Sequence, residues 1–575
     1  MSGLNKFFPI LFLFGLIYFV TVMSFLNWNY MPDDGYRYLH VVNNILQGYG
    51  VKWNAVDSNP SQSFTSFPWI LFLVIASLVT NISLITLSKY IGILFFTISI
   101  IYIFRYLIRY SKYPIYSTLF ISSALILSPP IFFHTVNGME TMLFYFFISL
   151  STISFIKSLD SKANLTYTFV AFLITVFIRY ESVIFCGFLT LFLMYKYRDE
   201  IPYFYSRFFS ILIIPGLLYL LGVYLYFGNL LPNSFHVKTA ATLISSSGYS
   251  YFIENYNNFF LGCSLAFLTI YPFSKNPNKN AYLVLFLAFH IQLLFILRII
   301  PTVGQGGRFM FPYVIPLYLI TINITISTVL DKLRKSRFIN YFYKFFFIFL
   351  LIFSTHSYDR KDSLKYLISY SADRVFDPAI GQSLSNIKID DPTKITIVGG
   401  ESGAISFFSK FTFVDIWGLH DSFIAKNGLD NDYIFSYKPD IFLSFIHKDA
   451  LIFNDKNEYV GLDYKFINFR INLDEFNKDI RGNTAYFSYL HMIDDRFKEM
   501  ELIRTIDIGS GKTWVFFVSK ESKFQNQLIT AVNKIEWKSD QDLIISSMRP
   551  NKIIKALINP FNRENFVKVK VMFNE

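Results

Sequence analysis

Long apolar segments recur through residues 1–355 and are separated by short polar connections. The first, Phe8–Trp28, is long enough to cross about 30 Å of hydrocarbon, and no small-residue cleavage site follows it. Over the whole chain 53% of the residues are hydrophobic and only 16% are charged, which is more apolar than a soluble core requires. The sequence therefore predicts a polytopic all-α membrane domain.

Eleven apolar runs are candidate membrane-spanning helices. They are Phe8–Trp28, Ile82–Phe104, Pro114–Phe133, Thr141–Ile156, Leu165–Ile178, Ser182–Met194, Phe209–Phe227, Phe259–Phe273, Ala281–Leu297, Phe309–Leu330 and Tyr341–Phe353. The stretch Phe67–Thr80 is only 14 residues long, so we expect an interfacial or re-entrant helix there. With Lys6 inside, this count places every basic loop in the cytoplasm, as positive-inside topology requires.

The formal net charge of +12 is explained by this orientation, so the sequence predicts no nucleic-acid partner. The same count places the polar loop 30–67 and the hydrophilic tail on the outer side. We expect a multi-pass membrane protein, with residues 1–355 as its membrane domain. Residues 356–575 are expected to form a soluble periplasmic domain.

The tail has a mixed α/β pattern. Short apolar runs predict strands at Ile395–Val398, Phe411–Val414, Ile441–Phe445 and Trp514–Val518, between helix-compatible stretches. Gly399–Gly403 follows the first of these strands but lacks the G-x-G-x-x-G spacing of a dinucleotide-binding loop. We interpret it as a strand-to-helix turn and predict no cofactor.

Charged residues are concentrated at the outer ends of the apolar runs. Asp33 and Asp34 directly follow the first run, and Arg179, Lys238 and Arg308 each stand at an outer boundary. A charge near hydrocarbon is costly unless it has a partner, a water-filled cavity or an anionic ligand. Phosphate is the natural candidate for that ligand.

No His, Cys or carboxylate set has metal-ligand spacing, so we predict no metal site. Cys186 and Cys263 both lie in apolar segments and are interpreted as packing residues. A carboxylate could act as general base on an acceptor hydroxyl while cations stabilise a leaving phosphate.

Eight ordered motifs carry a family resemblance. They are D-D-G-Y at 33–36, Q-G-Y-G-V-K-W-N at 47–54, S-F-T-S-F-P-W at 63–69, G-M-E-T at 138–141, R-Y-E at 179–181, L-P-N-S-F-H-V-K at 231–238, G-G-R-F at 306–309 and V-D-I-W-G-L-H-D at 414–421. In this order they resemble the AftB/LphB-type GT-C glycosyltransferases. His236 stands where that family usually has Tyr, and Tyr180 where it has Pro.

The resemblance implies an inverting transfer from a polyprenyl-phosphate sugar, commonly arabinofuranose, on the periplasmic face of a bacterial inner membrane. It makes residues 1–355 the catalytic domain. It makes Asp33 the first choice for general base, with Asp34 orienting it, binding acceptor or exchanging that role. Lys238 and Arg308 match basic positions that we assign to the donor phosphate, and Arg179 and His236 are further candidates for it.

Four more residues are candidates for substrate binding: Glu140, Glu181, Trp53 and Asn233. For the two glutamates, helix capping or pairing with a nearby Arg is the alternative. For Trp53 the alternatives are stacking on a sugar, guiding the polyprenyl tail or anchoring at the membrane interface. Asp415 and Asp421 could line the acceptor path, but the preferred interpretation is that they accept local turn hydrogen bonds.

The acceptor implied is a cell-envelope glycan, lipopolysaccharide or pilin. Two other functions stay open at this point. One is a GT-C transferase that uses a hexose or aminosugar donor, and the other is a non-enzymatic transporter of a lipid-linked glycan. Transporters usually bind their substrate near the membrane midplane, whereas the polar residues here gather at one rim.

Overall fold

The computed structural model describes residues 3–25, 28, 31–57, 59–128, 130–238, 246–298, 307–333, 376–456, 458–463, 494–509 and 512–535. The predicted span Tyr341–Phe353 lies outside these residues. The described part of the chain has a helical region followed by a C-terminal α/β region. This is the predicted fold class.

The helical region is built from many apolar helices of unequal length. Its α-helices are Gly3–Phe25, Asp33–Leu46, Phe67–Leu78, Leu84–Tyr110, Pro114–Ile126, Pro130–Val136, Thr141–Ser158, Leu165–Ile178, Val183–Lys196, Ile201–Arg207, Ile214–Phe227, Asn233–Lys238, Ser246–Phe259, Leu261–Ile270, Lys279–Leu294, Val314–Ile320 and Ser327–Leu333. Two π-helical segments, Phe208–Ile213 and Thr321–Ile326, join neighbouring helices into longer units.

Six helical units in the described residues are long and apolar enough to cross a membrane. They are Phe7–Phe25, Leu84–Tyr110, Thr141–Ser158, Arg198–Phe227, Lys279–Arg298 and Phe311–Lys332. The predicted spans Leu165–Ile178, Ser182–Met194 and Phe259–Phe273 correspond to helices that are shorter than a full crossing. Phe67–Leu78 has 12 residues, in line with the short helix expected there.

One predicted span is not straight. Pro114–Phe133 was expected to be a single crossing, but the chain forms two helices, Pro114–Ile126 and Pro130–Val136, whose axes differ by 76°. Pro130 begins the second helix. Because proline lacks an amide hydrogen and its ring clashes with the preceding turn, it favours a helix start over a helix interior.

A helix occupies the part of the polar loop 30–67 that carries the acidic doublet. It runs from Asp33 to Leu46, and we call it the acidic helix. Both carboxylates stand in its first turn, where negative charge is favoured by the exposed backbone amides. Most of its residues are buried, so it lies inside the protein and not on the membrane surface.

The C-terminal region contains a five-stranded mixed sheet and a separate hairpin. The strands are β1 (Thr396–Gly399), β2 (Thr412–Asp415), β3 (Ile441–His447), β4 (Leu451–Phe453), β5 (Tyr459–Leu462), β6 (Met500–Gly509) and β7 (Lys512–Ser519). The sheet order is β2-β1-β3-β7-β6, and β4 pairs with β5. The pairs of β1 with β2 and β3 are parallel, and those of β7 with β3 and β6 are antiparallel. All four predicted strands are present.

Helices cover this sheet and join it to the membrane region. They are Phe376–Ser385, Gly403–Ser409, Ser422–Asn427, Asn431–Ser436 and Gln525–Asn533. Ala404 is fully buried and belongs to the same apolar core as the membrane helices. The rings of Phe407 and Phe408 lie 5.8 and 5.6 Å from the ring of Tyr36 on the acidic helix. The C-terminal region therefore packs directly on the acidic helix.

Candidate active site

The two acidic side chains of the doublet point to different surroundings. Asp34 lines a cavity, whereas Asp33 is not among the described residues that line it. Asp33 instead accepts hydrogen bonds from the backbone amides of Gly403 and Ala404, at 3.1 and 2.9 Å. Burial raises the pKa of Asp33, Glu401 and Asp34 act in the same direction, and Arg37 opposes them. The structure thus places Asp34 at the cavity, and not Asp33, which the resemblance makes the first choice for general base.

Asp34 lies among three cations. Its carboxylate pairs with Arg308, Nη1 to Oδ2 at 2.6 Å, and with Arg37, Nη1 to Oδ1 at 3.0 Å. Burial would raise the pKa of Asp34, but the charges of Arg308, Arg37 and Lys238 outweigh it and hold the pKa well below its usual range. In this state Asp34 is ionised and acts as the counterion of the cluster.

Lys238 completes the cationic group from the short helix Asn233–Lys238. Its burial lowers the pKa of the ammonium to about 8, Arg308 and Arg37 act in the same direction, and Asp34 opposes them. Arg308 and Lys238 thus face Asp34, whereas Arg37 is paired with both Asp33 and Asp34. Buried cations at such a position favour an anionic ligand.

A second charged cluster forms another part of the wall. Arg179 donates from Nη2 and Nε to Oε1 of Glu140, at 2.8 and 3.1 Å, and from Nη1 to the backbone oxygen of Arg308. Glu181 lies 3.9 Å from the same guanidinium, and burial raises its pKa. Glu140 makes no side-chain cap to the helix Thr141–Ser158. Of helix capping and pairing with a nearby Arg, the structure therefore shows the pairing.

These two clusters line a single cavity of about 600 Å³. The rest of its wall is mostly apolar and comes from several helices and loops: Tyr38, Phe64, Met139, Val176, Val183, Ile184, Leu220, Leu230, Leu231, Pro232, Phe235, Phe295, Ile296, Phe309 and Leu419. Leu419 belongs to the C-terminal region. The cavity therefore combines charged and apolar lining residues, and both regions of the chain contribute to it.

Three sequence-predicted residues lie beside the cavity and not on its described wall. Trp53 is buried, and its ring stacks on His420 at 3.5 Å with an interplanar angle of 8°. Asn233 accepts a hydrogen bond from Ser422 at 3.2 Å. His236 is half-buried, and its ring lies 6.2 Å from that of Phe235. Trp53 and Asn233 therefore join the membrane region to the C-terminal region.

Further contacts make this boundary continuous. Asn54 accepts from the amide of Phe413 at 2.8 Å and donates to its carbonyl at 3.2 Å, so its side chain pairs with the edge strand β2. Ser61 donates to the carbonyl of His420 at 2.7 Å. We call the contacts of Trp53, Asn54, Ser61 and Asn233 with residues 413–422 the seam.

One group of carboxylates could hold a metal ion. An oxygen from each of Asp33, Asp377 and Glu401 lies within 4.8 Å of the others. Both oxygens of Asp33 already accept hydrogen bonds, from two backbone amides and from Arg37. This group was missed at the sequence level because its members are far apart in the chain. Its geometry alone does not make it a metal site.

Arg37 is the functional residue that sequence reasoning missed. Its Nε donates to Asp33 at 3.1 Å and its Nη1 pairs with Asp34 at 3.0 Å, so it bridges the doublet. The signal was present, since Arg37 stands three and four residues after the two carboxylates, the spacing at which helical side chains meet. It was overlooked because a loop was expected at this position.

Comparisons with known proteins agree with this architecture. A domain of unknown function, DUF8728, matches residues 375–503. No curated protein matches the sequence. The crystal structure of ArnT from Cupriavidus metallidurans bound to undecaprenyl phosphate is similar with a TM-score of 0.51 and 11% identity, over 88% of this chain and 97% of that one. The apo form of the same protein gives a TM-score of 0.50 over the same shares. At this identity the likeness establishes the fold alone.

Proposed function

We propose that this GT-C chain is an inverting glycosyltransferase that moves a sugar from a polyprenyl-phosphate donor to a cell-envelope acceptor on the periplasmic face. The observation that carries the proposal is the cavity that Asp34, Arg37, Lys238 and Arg308 line together with many apolar residues. A phosphate suits the cations, and a polyprenyl chain suits the apolar side. The ArnT neighbour was crystallised with a ligand of this kind.

Arg308 and Lys238 are assigned to the donor phosphate, whereas Arg37 is held by both carboxylates of the doublet. The Arg guanidinium can hold two phosphate oxygens in a fixed fork, and Lys adds a mobile point charge. Arg179 is less available for this role because Glu140 and the carbonyl of Arg308 already occupy most of its donors. The cations stabilise the charge that develops on the leaving phosphate.

Asp34 is assigned as general base. In the ligand-free protein its pairs with Arg308 and Arg37 hold its pKa low, so it is a poor base. A bound phosphate would compete with Asp34 for Arg308 and weaken that pair, which raises the basicity of Asp34. The acceptor oxygen then attacks the anomeric carbon, its proton passes to Asp34, and the bond from that carbon to the phosphate oxygen breaks. A single displacement inverts the anomeric centre.

Glu140 and Glu181 are assigned to the sugar. Oε2 of Glu140 is buried and has no hydrogen-bond partner among the described residues. A buried acceptor without a partner costs about 1–3 kcal/mol, and a sugar hydroxyl would remove this penalty. The arabinofuranose identity of that sugar rests on the eight motifs, and hexose or aminosugar donors are the alternative.

The first experiment offers the purified protein defined polyprenyl-phosphate pentoses, hexoses and aminosugars, together with envelope acceptors. We expect turnover with the pentofuranose and an inverted product. Turnover with a hexose or aminosugar alone would move the assignment to the alternative donor. If the protein moved a lipid-linked glycan across the membrane of reconstituted vesicles without transferring sugar, a transporter would be supported instead.

Asp34→Asn separates binding from chemistry. Because the carboxylate that competes with phosphate is removed, the variant should bind polyprenyl phosphate at least as tightly as the wild type. Its transfer rate should fall by about 10²-fold or more, since a positioned general base contributes about that much. Asp160→Asn, an exposed residue outside the cavity wall, is the matched control. Normal transfer by Asp34→Asn would exclude Asp34 as base.

A further inference from the structure

The turn Gly399–Gly403 is a sequence motif that the proposed reaction leaves without a role. It connects β1 to the helix Gly403–Ser409 and ends directly above the acidic helix. The backbone amide of Gly403 donates to Oδ2 of Asp33 at 3.1 Å, and that of Ala404 donates to Oδ1 at 2.9 Å. The Asp33 side chain, which is only 6% exposed, is thus held by the amides of two residues that lie about 370 positions away in the chain.

Gly403 is required by this approach. A Cβ atom built on it would lie 2.2 Å from the backbone oxygen of Asp33 and 2.8 Å from its Oδ1. The first of these neighbours is backbone and cannot rotate away. Any larger residue at this position must push the turn off the acidic helix.

Asp33 is connected to the cavity through Arg37. Its Oδ2 also accepts from Nε of Arg37, and Nη1 of the same guanidinium pairs with Asp34. Because the guanidinium is planar and its donors are fixed relative to one another, holding Nε also fixes the direction of Nη1. Asp33, Arg37 and Asp34 are all at most 9% exposed, so solvent does not loosen the chain of contacts.

We propose that the turn Gly399–Gly403 of the C-terminal region is a positioning element of the transferase site. Its amides at Gly403 and Ala404 hold Asp33, Asp33 orients Arg37, and Arg37 sets the position of the Asp34 carboxylate. Asp33 and Gly403 are therefore positioning residues. The catalytic consequence rests on the proposed function, whereas the contact itself can be tested without it.

Hydrogen–deuterium exchange of the purified full-length protein tests the contact. In Asp33→Ala the amides of Gly403 and Ala404 lose their acceptor, so we expect the segment 400–409 to exchange at least about tenfold faster than in the wild type. Gly403→Ala should give the same result. Ser406→Ala is the matched control in the same helix, because its hydroxyl is buried and has no hydrogen-bond partner among the described residues. Unchanged exchange in Asp33→Ala would overturn the proposal, even if Gly403→Ala failed to fold.

Transfer kinetics test the consequence. Gly403→Ala should lower kcat by about tenfold or more, while the affinity for polyprenyl phosphate stays within about threefold, since Arg308 and Lys238 are not displaced. Ser406→Ala should behave as wild type. Loss of transfer in Asp33→Ala together with normal transfer in Gly403→Ala would show that Asp33 acts on the substrate itself. If the wild type transfers no sugar from any donor, the proposed function fails, but the exchange experiment still decides the contact.

Discussion

At the residue scale, adjacent carboxylates have different environments because a helix turns them apart. Asp33 and Asp34 differ by about 100° around the axis of the acidic helix. One therefore meets the backbone of the C-terminal region and the other meets Arg308 in the cavity. The sequence allowed either to be the base, and the direction of each side chain makes Asp34 the better candidate.

Lys238 predicts a pH dependence of lipid-phosphate binding. Its pKa of about 8 means that the ammonium is mostly charged at pH 7 and mostly neutral at pH 9. Affinity for polyprenyl phosphate should therefore fall by up to roughly tenfold over this range. Titrations of wild type, Lys238→Arg and Lys238→Met would measure it. The Arg variant should bind tightly at pH 9, and a pH dependence that persists in the Met variant would assign the effect to another group.

At the element scale, the seam joins a loop of the membrane region to the edge of a sheet. Strand β2 is an outer strand, so one side of its backbone is left unpaired by the sheet. The amide side chain of Asn54 supplies both a donor and an acceptor to Phe413 in that strand. Exposed strand edges are prone to pairing with other chains, and this contact covers one.

Asn54→Ala should weaken the attachment of the C-terminal region. The substitution leaves the amide and carbonyl of Phe413 without these partners, which should lower the free energy of unfolding by about 2 kcal/mol. Chemical unfolding followed by a probe in the C-terminal region should show the decrease. Asn526→Ala, at an exposed helical position, is the control and should be near neutral. Equal stability of the two variants would mean that the seam does not depend on Asn54.

At the scale of the whole molecule, the site belongs to both regions of the chain. The cavity wall includes Leu419, and the acidic helix is held by Gly403 and Ala404. Asp415 ends strand β2 in the C-terminal region and accepts hydrogen bonds from the amides of Trp417 and His420 at 3.0 and 3.1 Å. Burial raises the pKa of Asp415 to about 7, although Arg37 and both amides oppose the shift.

This pKa predicts a change of stability with pH. Because the folded value lies above the ordinary 3.8, the native protein holds a proton that the unfolded chain has released between these values. The stability that protonated Asp415 contributes is therefore fully present below pH 3.8 and is lost as the pH rises to about 7. His40 and His420, whose pKa values burial lowers, act in the opposite sense. The comparison must be made with Asp415→Asn, whose melting temperature should fall less between pH 5 and 8 than that of the wild type. Parallel curves of melting temperature against pH for the two proteins would contradict this prediction.

The sequence alone determined the helical membrane class, the α/β tail, four of the seven strands described in it and most of the charged residues that meet in the cavity. Apolar length, strand periodicity and the cost of charge near hydrocarbon are local properties, so they can be read along the chain. It missed the acidic helix and the bend at Pro130, and with them Arg37.

Only the tertiary structure decided which carboxylate faces the cavity, why Trp53 packs on His420 and what the turn at Gly403 contacts. These contacts join residues more than 350 positions apart. Such pairs leave no periodic signal, because they depend on how the two regions pack against each other and not on the spacing within either one.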